Sequence, residues 1–212
     1  AVDDDFAEAV QTTSVTHAAS SSDTDYDSGS NARFTPAAAL SLAVFDNSDP
    51  AVLVSVPLLT LTEDGAAATY TVQLQTRPTH DVVVSVDWVL PASASQVSVS
   101  PASATFTSGA WPQTATFTVT PTNDGLAENT AEYTLQHTSA STDSDYNGAV
   151  FLPRSAVPVL LYDDDVPGAV LSRAIISLIE GGSDTYTVTL STEPTHTVTL
   201  ELVTDLTQIS VS

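Results

Sequence analysis

Two stretches decide the fold: Thr69–Val82, TYTVQLQTRPTHDV, and Thr185–Val198, TYTVTLSTEPTHTV. In the first, Tyr70, Val72 and Leu74 fall on one face and Thr69, Thr71, Gln73 and Gln75 on the other. Alternation with period two marks a strand with one buried and one wet face. Its return makes an internal repeat, with Tyr70 and Tyr186 standing 116 residues apart. Gln96–Ser100, QVSVS, likewise returns as Gln208–Ser212, QISVS.

A second set of matches points backwards. Phe6–Glu8 is echoed by Leu126–Glu128, His17 by His137, and Asp25-Tyr26 by Asp145-Tyr146, each 120 residues on. Phe45–Pro50, FDNSDP, returns as Tyr162–Pro167, YDDDVP. The two sets define one complete repeat over 50–166. Residues 1–49 read as the back part of another, its last two strands, and 167–212 as the front part of a third, its first four. The expectation is a longer protein extending on both sides.

Outward from Tyr70, the alternation predicts seven strands in the complete repeat: about 52–62, 69–75, 81–88, 96–100, 114–120, 131–138 and 155–162. Val82, Val84, Val86 and Trp88 share a face, as do Phe117 with Val119, and Val157 with Val159 and Leu161. One apolar face per strand suits two sheets packed face to face. The predicted fold class is all-β: seven-stranded immunoglobulin-like β-sandwich repeats joined end to end.

Composition removes several function classes. The net charge is −22, with no Lys and four Arg, so nothing could neutralise the phosphates of nucleic acid. No apolar run approaches the roughly 18 residues of a membrane span, and membrane insertion of this segment is not expected. Cys is absent, which excludes disulfides and thiol chemistry. The acidity admits three readings: solubility, a salty habitat, or bound cations if the acids cluster in space.

Strand parity sorts the acids. If each strand runs opposite to the one before, the loops after the first, third and fifth strands, and the tail after the seventh, share one end of the sandwich. Glu63-Asp64-Gly65, Asn123–Glu128 and Asp163-Asp164-Asp165 all fall there. So do their counterparts: Asp3, Asp4, Asp5, Glu8, Asp46 and Asp49 before, and Glu180 after. Crowded carboxylates repel one another unless neutralised. Ca2+ is the natural counter-ion, since it takes about six to eight oxygens in flexible geometry. An ion at such a junction would stiffen it. Screened, solvated acidic loops are the alternative.

An acid followed by Gly after the first strand, an acid-rich loop ending in Glu before the sixth, and Asp-Asp-Asp after the seventh together resemble Calx-beta domains. The resemblance covers the complete repeat and the corresponding regions of both partial ones. It implies a Ca2+ site near the end of the sandwich, falling on Glu63, Asp124, Glu128, Asp163, Asp164 and Asp165. The fuller pattern is similar to sandwich repeats of large bacterial and green-algal surface proteins. The Ala-rich, Lys-free composition is similar to that of algal flagellar-hair (mastigoneme) and cell-surface glycoproteins.

Chemistry finds little foothold. His80 and His196 follow Pro-Thr in a loop, and His17 and His137 sit in a strand. None stands beside a nucleophile motif with an orienting third group. Paired carboxylates could suggest glycoside hydrolysis, but their return in every unit argues against a single cleft. Trp88 reads as core, and Trp111 lies in a turn. The loop Asp143–Gly148, DSDYNG, reads as an Asn-Gly turn or as a contact to the preceding unit.

The expected function is a non-catalytic module of an extracellular filament, stalk or surface glycoprotein, with Ca2+ at its junctions. The alternative is an adhesin-type module gripping carbohydrate or protein through its loops. Expected partners are neighbouring repeats of the same chain and other subunits of a filament. The expected place is the cell surface, including a flagellar or ciliary appendage.

Overall fold

A computed structural model describes residues 2–26, 39–89 and 96–204. Fourteen strands are described: β1 (Gln11–Thr16), β2 (Ala39–Val44), β3 (Val52–Val54), β4 (Leu59–Thr62), β5 (Ala68–Leu74), β6 (Val82–Val89), β7 (Val97–Ser100), β8 (Ser103–Phe106), β9 (Thr114–Pro121), β10 (Ala131–Ser141), β11 (Phe151–Leu152), β12 (Ala156–Tyr162), β13 (Ala169–Leu171) and β14 (Val188–Leu190). Strands β3 to β12 build two five-stranded sheets, in the orders β11-β3-β5-β9-β7 and β4-β12-β10-β6-β8. The molecule is all-β, and these two sheets form an immunoglobulin-like sandwich.

The central unit thus has ten described strands where the alternation predicts seven. Three chain segments divide between the sheets, and each divides at a proline. The predicted strand 52–62 becomes β3 and β4 on either side of Pro57. Pro101 separates β7 from β8, and Pro153 separates β11 from β12. A proline has no N–H for the ladder, which suits it to the points where a strand leaves one sheet for the other. Each time the chain leaves the sheet of β5 and joins the sheet of β10. Every pairing direction agrees with the parity of the sequence: β10 is antiparallel to β6 and β12, β5 to β9, while β12 is parallel to β4.

The inward faces make one core. Tyr70, Phe106, Phe117, Leu135, Leu161, Val52, Val72, Val82, Val84 and Val119 are fully buried. Each such side chain contributes about 1.5–3 kcal/mol relative to exposure. Tyr70 stacks on Phe117 with centroids 5.4 Å apart. Trp88 is half-buried and meets Tyr133 edge-on, and Trp111 packs against the same core.

Outside the central unit, two hairpins repeat its pairings residue for residue. Gln11↔Val44 through Thr16↔Ala39 in β1/β2 match Ala131↔Leu161 through Gln136↔Ala156 in β10/β12. Ala169↔Leu190 through Leu171↔Val188 in β13/β14 match Val52↔Leu74 through Val54↔Val72 in β3/β5. The registers agree but the burial does not. Leu40 is 57% exposed, whereas its counterpart Val157 is fully buried. The hairpins have no opposing sheet among the described residues. The same lack explains Ile175–Ile179: it corresponds to β4, which pairs with β12, and with no such partner it forms no strand. Of the four strands expected in 167–212, two form as β13 and β14. No strand is assigned in the described part of the third, and the fourth, at 208–212, lies outside the described residues.

Candidate metal centre

The end of the sandwich reached by β4, β9 and β12 gathers the acids. β4 and β12 run parallel, with Thr62 opposite Tyr162, so the residues that follow them emerge side by side. The Glu63 N–H donates to the Tyr162 carbonyl at 3.0 Å and extends that pairing by one step. A tight turn follows, closed by the Gly65 N–H on the Thr62 carbonyl at 2.9 Å. Glycine is required there, because a Cβ would stand 2.9 Å from that same oxygen.

Glu63, Asp163, Asp164 and Asp165 each bring a carboxylate oxygen to within 4.8 Å of the others. Asp163 is braced: its Oδ2 accepts from the Glu128 N–H at 2.6 Å and its Oδ1 from the Asp165 N–H at 3.0 Å. Glu63 is 3% exposed, yet its Oε2 has no hydrogen-bond partner. Oδ2 of Asp165 is also buried and unpartnered. Burial, then repulsion from Asp124, Asp163 and Glu128, pushes the Glu63 carboxyl above its usual range, and a hydrogen bond from the Asp124 backbone offsets this in part. Asp165 is raised by burial and by Asp164, Asp163 and Asp124.

Four of the six residues named from the sequence therefore converge, and two stand around them. Asp124 acts on Glu63 and Asp165 through its charge, and its Oδ1 accepts from the Leu126 N–H at 2.8 Å. Glu128 offers its backbone to Asp163 while its carboxylate accepts from the Gln96 amide, which in turn accepts from the Tyr133 hydroxyl at 3.0 Å. The donor set fits a hard divalent cation: all oxygen, mostly carboxylate, and short of protein donors where a cation could sit.

The opposite end is finished by the protein itself. Asp143 is buried, and its Oδ2 accepts from the N–H and hydroxyl of Thr79 at 2.7 and 2.8 Å. Burial pushes this carboxyl up, but Thr79, the Asp145 amide and His80 outweigh it, and the net pKa is lowered. The Tyr146 hydroxyl donates to the Thr76 carbonyl at 2.8 Å and accepts from the Thr76 N–H at 3.0 Å. The loop thus ties to its own unit rather than to the preceding one through these two residues, and Gly148 at φ 72° completes the Asn-Gly turn. Sequence reading missed the Asp143–Thr79 bond. The signal was the recurrence of Pro78-Thr79-His80 as Pro194-Thr195-His196.

His137 belongs to the core. Its Nδ1 lies 2.8 Å from the Ser155 carbonyl, which can only accept, so Nδ1 carries the proton. Nε2 then accepts from the Tyr70 hydroxyl at 2.8 Å, and burial lowers the pKa of the ring.

No family model matches the chain, and no curated protein matches it in sequence. Among solved structures it is similar to the apo-form Calx CBD1 domain, with 12% identity over 53% of this chain and 98% of that one at TM-score 0.41. It is also similar to the periplasmic chaperone SfaE, with 9% identity over 53% and 58% of the two chains at TM-score 0.40. A third is the E. coli chaperone DraB, with 11% identity over 56% and 57% at TM-score 0.39. The matches to the two chaperones thus span less than two thirds of their lengths. At such identities the likeness concerns the fold alone, and no residue role is taken from it.

Proposed function

We propose that this chain is a non-catalytic structural module of an extracellular, cell-surface array, in which immunoglobulin-like units of Calx-beta type follow one another and Ca2+ stiffens their junctions. The single observation that carries the cation is the buried, unpartnered Oε2 of Glu63 facing three aspartates. Burying a polar atom without a hydrogen-bond partner costs on the order of 2–7 kcal/mol. A divalent cation removes that cost. Glu63, Asp163, Asp164 and Asp165 would hold the ion, with Asp124 and Glu128 adding charge around it.

The array reading is supported by the repeated registers of β1/β2 and β13/β14 and by the exposed inward faces of both hairpins. A non-catalytic role is supported by His137, whose two nitrogens are both engaged within the core. The test is a calorimetric Ca2+ titration beside thermal unfolding in Ca2+ and in chelator. Binding to the native state should raise the midpoint, and Glu63→Gln should remove both the heat and the shift. An unchanged midpoint at millimolar Ca2+ would leave only screened acidic loops.

A further inference from the structure

The two junctions beside the central unit are built alike and charged oppositely. The Arg77 N–H donates to the Asp5 carbonyl at 2.7 Å, and the Glu193 N–H donates to the Gly125 carbonyl at 2.7 Å. Asp5 and Gly125 are equivalent positions of the repeat, as are Arg77 and Glu193. The same loop of each unit therefore leans on the same acid-rich loop of the unit before it. What differs is the side chain delivered. The Arg77 guanidinium lies over the Phe6 ring, 5.2 Å from its centroid, and its Nε donates to the carbonyl and hydroxyl of Ser108 at 3.1 and 3.2 Å. It is thereby fixed over the loop that carries Asp3, Asp4 and Asp5. At the second junction Leu126 replaces Phe6, so no ring is offered, and Glu193 replaces Arg77. Glu193 is exposed, and its N–H holds it against a loop whose Asp124 acts on Glu63 and Asp165.

We propose that the first junction is closed by a cation of the chain itself, Arg77, whereas the second closes only around a divalent cation from solution, with Glu193 lending it a carboxylate of the following unit. This rests on the reading of the Glu63 cluster as a Ca2+ site. Without the ion, Glu193 joins a crowd of like charges and its junction loosens. With it, the same residue becomes attractive and the junction tightens. Arg77 makes the first junction indifferent to the ion. A string of such units is then stiff at some joints always and at others on demand.

The test uses the full chain, Ca2+ as the probe and hydrogen exchange at the two bridging amides. Chelator should speed exchange of the Glu193 amide by about tenfold or more and leave the Arg77 amide unchanged. Glu193→Arg should restore protection of residue 193 in chelator and weaken Ca2+ binding by about tenfold, since it reverses a charge near a divalent ion. Arg77→Glu should speed exchange at residue 77, with the amides of Val72 and Val119 still protected as proof that the central unit is folded. The proposal is overturned if calorimetry records Ca2+ binding and both amides respond alike, or if Glu193→Arg changes neither affinity nor exchange. Absence of any binding heat in the native chain instead overturns the reading of the cluster, and this proposal with it.

Discussion

Among the described residues of the central unit, one acidic residue is buried at each end, Glu63 at one and Asp143 at the other, and the two are solved differently. Asp143 is 5% exposed and Glu63 is 3% exposed, so both have left water to a similar degree. Asp143 meets the N–H and hydroxyl of Thr79 and the Asp145 N–H, and its pKa is lowered. Glu63 meets other carboxylates, has an oxygen with no partner, and its pKa is raised. Burial is therefore not what distinguishes a structural acid from a candidate ligand. The supply of donors is. A carboxylate that the protein satisfies holds loops together, and one that the protein leaves unsatisfied asks for something from outside.

The largest effect should come from the satisfied end. Tyr146 is fully buried and anchors its loop on Thr76, so Tyr146→Ala should cost about 3–5 kcal/mol in unfolding free energy, equally with and without Ca2+. A loss that depended on Ca2+ would mean the two ends are coupled. Next is the cation. Ca2+ at a hundredfold excess over its Kd should stabilise the native chain by about 2.7 kcal/mol, read as a shift in denaturant midpoint. Glu63→Gln should erase that shift, while Asp143→Asn should leave it intact.

Asp143→Asn should itself cost about 1.5–3 kcal/mol, the worth of hydrogen bonds to a charged group. Its pH signature sharpens the comparison. A lowered carboxyl stabilises the fold above its ordinary value and loses that contribution as pH falls through its folded value. Acid titration of the native chain should therefore show a loss of stability below about pH 3.8 that Asp143→Asn lacks. The smallest effect concerns His137 between the ends. Its pKa is lowered, so the unfolded chain takes up a proton first, and stability declines as pH drops below about 6.5 until the folded value is reached. His137→Gln should flatten that decline, and an unchanged slope would mean another group sets it.

Much of this was legible in the residues. The alternation at Tyr70, Val72 and Leu74 placed β5 to within a residue at each end, and the parity of the strands put Glu63 and Asp163 at the same end of the sandwich, where the parallel pairing of β4 and β12 brings them together. Asp124 and Glu128 were not separable from the four that converge. Their spacing is right, but Glu128 is drawn away by Gln96, which is 32 residues distant. The three sheet crossings were missed because period-two alternation records which face a residue takes, not which sheet its strand has joined. Pro57, Pro101 and Pro153 were the visible marks of those crossings.

The sequence by itself determined the apolar faces of the central strands and the end at which the acids gather, because these follow from local alternation and from strand parity. Only the tertiary structure decided which acids find donors. A hydrogen bond such as Thr79 to Asp143 joins residues 64 positions apart, and its existence depends on how two loops meet across the top of the sandwich. The lack of a protein donor for Glu63 Oε2 is a fact of the same kind, created where β4 and β12 end together.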